Sequence, residues 1–279
     1  MSCEKNINLN LNTATNLLVV NATIENGQAP VVVLSTSYNY FAQITPQLLE
    51  SSFVHNAIVY MSNGTLTQQL KEYSIDTTGG TKLYFYSIDT ASIGTAFIGE
   101  LNKRYDLKID YNGTEYTAAT TIPTLAKTPD SLWWKPAPNN PDTTKVIVDV
   151  KTTDPPGLGN YVRYFTKRNS ERFLPGQQSV FDDELTDGTT YEIQVYPGID
   201  RNLKITPDNN FFLRGDTVTM KLSNIDRATF DFWNTMDFAY GSIDNPFASP
   251  NKVIGNISNG ALGAFCGYAS SQRTLIIPK

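Results

Sequence analysis

The sequence is poor in residues that carry catalytic or metal chemistry. It has one histidine, His55, and two cysteines, Cys3 and Cys266, which stand near opposite ends of the chain. A single histidine argues against a histidine-dependent triad and against a multi-histidine metal site. Two cysteines are too few for a disulfide scaffold, and no nucleophile-elbow, phosphate-loop or dinucleotide-binding motif is present. We therefore expect no enzymatic activity, no cofactor and no metal.

Blocks of basic residues and long apolar runs are also absent from the sequence. The 279 residues include 22 Lys and Arg against 27 Asp and Glu, with no basic block, so nucleic acid is not an expected partner. No apolar run approaches the length that crosses a bilayer. The acidic run 182–184 lacks the spaced oxygen ligands of a calcium loop, and we interpret it as a solvated turn.

Aromatic residues, in contrast, are plentiful, with 15 Tyr and 14 Phe. Short strand patterns recur at regular spacing between turn residues, and Asn112-Gly113 is the strongest hairpin signal. The sequence therefore predicts an all-β protein. An Ig-like β-sandwich is expected over residues 17–124, and a second β-sandwich-like domain over 125–279.

The second domain is predicted to carry one amphipathic helix, over residues 224–240, with Ser223 as its N-cap. Between strands in the first domain, Pro46 indicates a loop within 38–53. Apolar residues at helical spacing support the helix: Ile225, Phe230, Trp233, Met236 and Tyr240.

The closing segment 244–268 is the least generic part of the chain. Its glycines indicate positive φ angles or close backbone approach, since apolar residues interrupt them. It is interpreted either as a structural element that completes a β-domain or as a docking surface. The docking candidates in it are Asn245, Pro246, Phe247, Pro250, Phe265 and Tyr268.

A second candidate surface is the Trp133-Trp134 pair, in a Pro/Asn/Asp-rich junction between the two domains. Paired aromatics can stack on sugars or peptides, or they can pack between domains. In a strand the two side chains point to opposite faces, so only one need be buried.

Residues 1–16 are interpreted as a tether. A small residue, Ser2, precedes Cys3, as at the cleavage site of a bacterial lipoprotein, but the charged and apolar regions of a signal peptide are missing. The sequence is thus consistent with a mature or truncated lipoprotein, or with an incidental thiol.

Several stretches together resemble one known family, and the ending is the most specific of them. The chain is similar, over nearly its whole length, to the family catalogued as domain of unknown function 4249. The matching stretches are Cys3-Glu4-Lys5, Leu18-Val19-Val20, Tyr161–Phe165, Phe181-Asp182-Asp183-Glu184, Gly215-Asp216-Thr217-Val218 and the segment from Asn245 to Tyr268.

This resemblance implies an outer-membrane lipoprotein of the Gram-negative group that uses SusC/SusD-type nutrient transporters. Such proteins are typically encoded beside a TonB-dependent, SusC-like receptor, and the family has no established catalytic residues. By resemblance, Cys3 carries the lipid anchor and the protein faces the cell exterior. Exported proteins of this group are O-glycosylated at Asp-Ser/Thr motifs, although Asp-Thr pairs also suit ordinary turns. The matching positions are Thr77, Thr90, Ser131, Thr143 and Thr217.

Two functions follow as alternatives. The protein either captures or hands over a ligand at a TonB-dependent barrel, or it is a structural or assembly subunit of an outer-membrane complex. The first predicts a concave, aromatic-lined pocket, and the second predicts broad flat contacts.

Overall fold

The computed structural model describes residues 16–38, 45–77, 79–201, 203, 206–242 and 251–279. About half of the chain is in strands and about a tenth in helices, which confirms the predicted all-β, sandwich-like class. In the first half the elements are β1 Leu18–Glu25, β2 Val31–Thr36, α1 Pro46–Ser52, β3 Ile58–Ser62, β4 Thr67–Asp76, β5 Lys82–Ser87, a 3-10 helix Thr90–Thr95, β6 Lys103–Tyr111 and β7 Thr114–Ile122. In the second half they are β8 Ser131–Pro136, β9 Lys145–Thr153, β10 Tyr161–Arg168, β11 Leu174–Phe181, β12 Thr190–Val195, a 3-10 helix Pro207–Asn210, β13 Phe212–Leu213, β14 Thr217–Ile225, α2 Arg227–Gly241 and β15 Leu262–Ile276.

These strands form two sheets. The larger has eleven strands in the order β11-β10-β14-β15-β1-β2-β5-β4-β3-β6-β7. In the smaller sheet β9 pairs with β8, β12 and β13. Within the described residues, no helix is long and apolar enough to span a membrane.

Strand β15 connects the two halves of the chain. Its first part pairs with β1 in parallel, from Val19–Leu262 to Glu25–Tyr268, and its second part pairs with β14. Gly263 makes the first contact possible: its φ is +94°, and a Cβ there would lie 2.0 Å from the Val20 carbonyl oxygen. The end of the closing segment therefore pairs with the first strand of the N-terminal half.

The described residues form three apolar cores. The first fills the N-terminal half and includes Phe265, which is fully buried. The second lies between the small sheet and strands β10 and β14, around Phe212. The third lies beneath α2 and contains Tyr268 and Cys266. Burial raises the pKa of the Cys266 thiol to about 11.

The turn between β6 and β7 is the hairpin turn that Asn112-Gly113 predicts. Tyr111 pairs with Thr114, and the two residues between them, Asn112 and Gly113, have φ of 49° and 76°. This two-residue turn with positive φ at both positions matches the right-handed twist of its strands. The predicted hairpin is confirmed.

The predicted loop at Pro46 is wrong, because Pro46 begins α1. A proline is tolerated in the first turn, whose backbone N–H groups have no intrahelical partner. The Thr45 side chain caps the helix by accepting from the Leu48 N–H at 3.1 Å. The chain thus has a helix in each half.

The predicted start of the second helix is three residues too early. Ser223 and Ile225 belong to β14, and Asp226 is the N-cap. Ser223 is buried in the sheet, where its hydroxyl lies 2.7 Å from that of Ser270. Both Ser and Asp are good N-caps, and only the pairing of β14 with its neighbours decides between them.

Candidate functional site

An open groove of about 800 Å³ lies on the outer face of the N-terminal half. Its floor is formed by β3, β6 and β7. Side chains point into it because residues alternate between the two faces of each strand. Tyr60, Ser62, Arg104, Asp106 and Lys108 lie on its floor side.

The strand register sets these side chains in rows across the sheet. Tyr60 of β3 is opposite Lys108 of β6, and Ser62 is opposite Asp106. On the other side of β6, Lys108 is opposite Thr117 of β7. The groove therefore presents hydroxyl groups beside Lys108 and Asp106.

One wall of the groove is residues 256–259, which we call the strap. The Ser258 N–H donates to the Thr117 carbonyl at 2.9 Å, and the Thr117 N–H donates to the Ser258 hydroxyl at 2.7 Å. The Asn259 amide donates to the Glu115 carbonyl at 2.6 Å. The strap thereby satisfies outward-facing backbone groups of β7 that would otherwise be open to another strand.

Asn256 fixes the strap to β15. Its side-chain oxygen accepts from the Phe265 N–H, and its amide donates to the Phe265 carbonyl, both at 2.8 Å. The same amide lies 3.3 Å from the Ala119 carbonyl of β7. Next to it, a Cβ on Gly255 would lie 2.3 Å from the Gly263 carbonyl oxygen, so only glycine fits there without a shift. The wall is therefore preformed.

The basic side chains of the groove have acidic partners. Arg104 donates to Asp106 at 2.8 Å, and Lys108 lies 2.6 Å from Glu115 and 3.7 Å from Asp110. The hydrogen bond that Arg104 donates to Asp106 raises the pKa of Arg104, and the one that Lys108 donates to Glu115 raises the pKa of Lys108. The groove thus carries little net charge, which suits binding of an uncharged molecule.

A comparison with models of protein families identifies the family of this chain. The model of the domain of unknown function DUF4249 matches residues 4–274. The chain belongs to the DUF4249 family. The resemblance drawn from the sequence is thereby confirmed, and a comparison with curated proteins gives no match.

The tryptophan pair of this DUF4249 chain lies in β8, a strand that the sequence predicted only as a junction. Trp134 faces the second core and packs under Arg214, whose Cζ lies 4.7 Å from the ring centroid. Trp133 faces outward, with Lys135 Nζ 5.6 Å from its ring. The two rings thus point to opposite faces, and neither lines the groove.

The other docking candidates divide into two groups. Phe265 and Tyr268 are buried packing residues, with 0% and 6% of their surface exposed, so they present no surface to a partner. Both are candidates as aromatic residues of the closing segment, but Phe265 packs in the first core and Tyr268 in the third. Cys3, Asn245, Pro246, Phe247 and Pro250 lie outside the described residues.

The positions predicted for glycosylation differ in exposure. Thr90 and Thr143 are exposed, whereas Thr77, Ser131 and Thr217 are half-buried. The Thr77 hydroxyl donates to the Thr81 carbonyl at 2.8 Å, as in ordinary turn chemistry.

The acidic run is a structural turn, and its middle residue is not solvated. Asp183 is buried and accepts the N–H groups of Gly159 and Asn160 at 2.9 Å. Burial by itself raises the pKa of Asp183. The hydrogen bonds from these backbone N–H groups lower the pKa by more, so the net shift is downward. The described residues contain no group of acidic, His or Cys side chains that could hold a metal.

Sequence reasoning missed the groove. Tyr60-x-Ser62 and Arg104-x-Asp106-x-Lys108 carry the alternation that marks a polar strand face, which was the available signal. The strap gave no signal, because its partners on β7 are about 140 residues earlier in the chain.

Proposed function

We propose that this DUF4249 protein is an outer-membrane surface lipoprotein, anchored through Cys3, that works as a non-enzymatic partner of a TonB-dependent, SusC-like transporter. In this role it captures a nutrient ligand or hands it over to the barrel. Sharing one membrane with the barrel raises the effective concentration of both, so a modest interface is enough.

The groove is the observation that carries the binding role. Its volume of about 800 Å³ is in the range of ligand pockets, and the strap gives it a fixed wall. Tyr60 is the aromatic side chain in its lining, so the groove differs from the aromatic-lined pocket that the sequence predicted. With hydroxyls from Ser62, Thr67 and Ser258 and with its charges paired, it fits an uncharged, hydroxyl-rich ligand.

The alternative is a structural or assembly subunit. It is favoured by the outward face of the small sheet, where Trp133 and Lys135 stand beside Asp149, 2.5 Å from the Lys135 ammonium. A half-exposed tryptophan among paired charges is typical of a protein contact.

Two measurements test the proposal. In cross-linked cells, the tagged protein should recover a TonB-dependent barrel from solubilised outer membranes, and Cys3→Ala should abolish that recovery. An array of neutral oligosaccharides should bind the purified chain, and Ser62→Trp, which fills the groove, should remove binding. Ser74→Trp places the same side chain at an exposed strand position outside the groove and should leave binding unchanged.

The outcomes separate the two functions. The assembly subunit is favoured if a barrel is recovered but ligand binding does not depend on the groove, and if Trp133→Ala abolishes the recovery of the barrel. If no barrel is recovered above background, the transporter partnership is wrong.

A further inference from the structure

A lysine and an aspartate are buried together where the chain passes between its two halves. Lys127 lies between β7 and β8, and Asp154 directly follows β9. Their side chains are 1% and 0% exposed, and Lys127 Nζ lies 2.8 Å from Asp154 Oδ2. Both groups are held in contact without access to solvent.

The surrounding residues offer this pair few hydrogen bonds. Among the described residues, Lys127 Nζ makes no directed hydrogen bond, and Asp154 Oδ1 has no hydrogen-bond partner. The Thr186 hydroxyl donates to Asp154 Oδ2 at 3.1 Å. A buried ammonium has three protons to satisfy, and a buried carboxylate keeps its full desolvation cost when an oxygen is left unpaired.

The backbone of Lys127 is also fixed. Its N–H donates to the Asn224 side-chain oxygen, and its carbonyl accepts from the Asn224 amide, each at 2.8 Å. Thr152, two residues before Asp154, donates its hydroxyl to the Thr128 carbonyl at 2.9 Å. The two reacting groups would therefore meet with little motion, which is the condition for efficient intramolecular reaction.

We propose that Lys127 and Asp154 are joined by an intramolecular isopeptide bond. In this buried site, a proton passes from the ammonium to the carboxylate, which gives a neutral amine and a carboxylic acid. The Nζ lone pair then forms a bond to Cγ, a C–O bond of the acid breaks, and one oxygen leaves as water with the acid proton and one amine proton. No oxidant, reductant or other reactant is needed.

Thr186 has a defined part in this reaction. Its hydroxyl already donates to Oδ2, so it polarises the carboxyl group and can relay the proton to the departing oxygen. The product amide is uncharged. It replaces two buried charges, whose hydrogen bonds are incomplete, with one neutral group.

The chain contains a matched control in the neighbouring strand pair. Lys135 and Asp149 are 2.5 Å apart, closer than Lys127 and Asp154, but the Lys135 side chain is 54% exposed. Water solvates the Lys135 ammonium, so this pair should not condense although its contact is shorter. Burial, not distance alone, distinguishes the two pairs.

Peptide mapping of the full-length, purified wild-type chain tests the bond directly. Trypsin cannot cleave after an acylated lysine and does not cleave before Pro136. The expected product is therefore peptide 109–145 joined to peptide 152–163. Its mass should be about 18 Da below the sum of the two peptides, because one water is lost.

Two variants test the roles of Lys127 and Thr186 in forming the bond. Lys127→Arg keeps the cation but removes the nucleophilic amine, so cleavage at residue 127 and the full peptide masses should return. Thr186→Val should lower the cross-linked fraction at least several-fold in freshly made protein. Cleavage after Lys127 in the wild-type digest, with separate peptides of unreduced mass, would overturn the proposal. So would an equal water loss at Lys135 and Asp149.

Discussion

Arg163 lies flat against Trp233 inside the protein, with its guanidinium carbon 3.4 Å from the centroid of the indole ring. The guanidinium donates to the Ser179 hydroxyl at 3.1 Å and to the Tyr268 hydroxyl at 3.2 Å. Trp233 donates to the same Tyr268 hydroxyl at 2.8 Å, and Ser179 donates to Asp237 at 2.8 Å. One buried cation thereby connects α2 to β10, β11 and β15.

Removing the ring should cost more than removing the cation. Trp233→Leu leaves a cavity and a buried charge without its stacking partner, so we expect a loss of about 3 kcal/mol or more in unfolding free energy. Arg163→Met should cost about 1–2 kcal/mol, because Tyr268 and Ser179 keep other partners. Urea unfolding followed by circular dichroism measures both.

The double variant tests the coupling of the two residues. Arg163→Met should cost at least about 1 kcal/mol less in the Trp233→Leu background than in the wild type. Trp133→Leu, on the outward face of β8, is the control and should cost about 1 kcal/mol. Additive single effects would show that the stacking contributes nothing.

The sequence predicted those features of the fold that depend on neighbouring residues. The Asn112-Gly113 turn, for example, is as expected. Such features follow from alternation and turn chemistry within a few residues. The pairing of β15 with β1 joins residues more than 200 positions apart, for example Val19 and Leu262, and no local pattern encodes it.

The groove escaped prediction for the same reason. Its floor depends on the register of three strands, and its wall depends on Ser258 meeting Thr117. The segment containing the strap was singled out for its glycines and aromatics. Its small polar residues, however, make the contacts that form the wall.

Two glycines with positive φ give a matched test of crowding. Gly263 has φ of +94°, and a Cβ there would meet the Val20 carbonyl oxygen at 2.0 Å. Gly64 has φ of +85°, but a Cβ there would meet nothing within 4 Å. Gly64→Ala should therefore cost only the conformational strain, about 1 kcal/mol, whereas Gly263→Ala should cost about 3 kcal/mol or more.

Thermal unfolding of the two alanine variants provides the comparison. A Gly263→Ala protein as stable as Gly64→Ala would mean that β15 can move away from β1 at little cost. The parallel pairing of β1 and β15 would then be looser in solution than in the structure.

Tyr86 should make stability depend on alkaline pH. Its hydroxyl donates to the Val54 carbonyl at 3.0 Å and lies 3.2 Å from Glu72. Burial, followed by the Glu72 charge, raises its pKa from 10.0 to about 12. The folded state therefore holds the phenol proton more tightly than the unfolded state does.

The sign follows from this raised pKa. Below pH 10 the contribution of Tyr86 is fully present, and between pH 10 and 12 it is lost as the unfolded chain ionises first. The loss amounts to about 2–3 kcal/mol, since one pKa unit corresponds to about 1.4 kcal/mol. Tyr86→Phe should be less stable at pH 8 but should lose less stability between pH 10 and 12. Parallel pH profiles of the two proteins would contradict the raised pKa.

Asp226 performs two tasks with one carboxylate. One oxygen caps α2 by accepting the Thr229 N–H at 2.8 Å. The other accepts the Thr121 N–H at 2.8 Å and the Thr120 hydroxyl at 2.9 Å, both from the edge strand β7. Like the strap, this side chain satisfies an outward backbone group of β7, and it joins the helix of the second half to the sheet of the first.

Asp226→Ala should therefore cost more than an ordinary helix cap. The matched control is Thr45→Ala, because the Thr45 hydroxyl caps α1 and accepts only the Leu48 N–H among the contacts described. A cap alone is worth about 1 kcal/mol, and a lost hydrogen bond to a charged group adds about 1.5–3 kcal/mol. We expect about 1 kcal/mol for Thr45→Ala and about 3 kcal/mol for Asp226→Ala.

Hydrogen exchange shows where the difference arises. In Asp226→Ala the amides of both Thr229 and Thr121 should exchange faster. In Asp226→Asn one acceptor oxygen remains, so only one of these amides should do so. Equal costs for Asp226→Ala and Thr45→Ala, with the Thr121 amide still protected, would show that β7 does not depend on this carboxylate. The strap would then be enough to close that edge of the sheet.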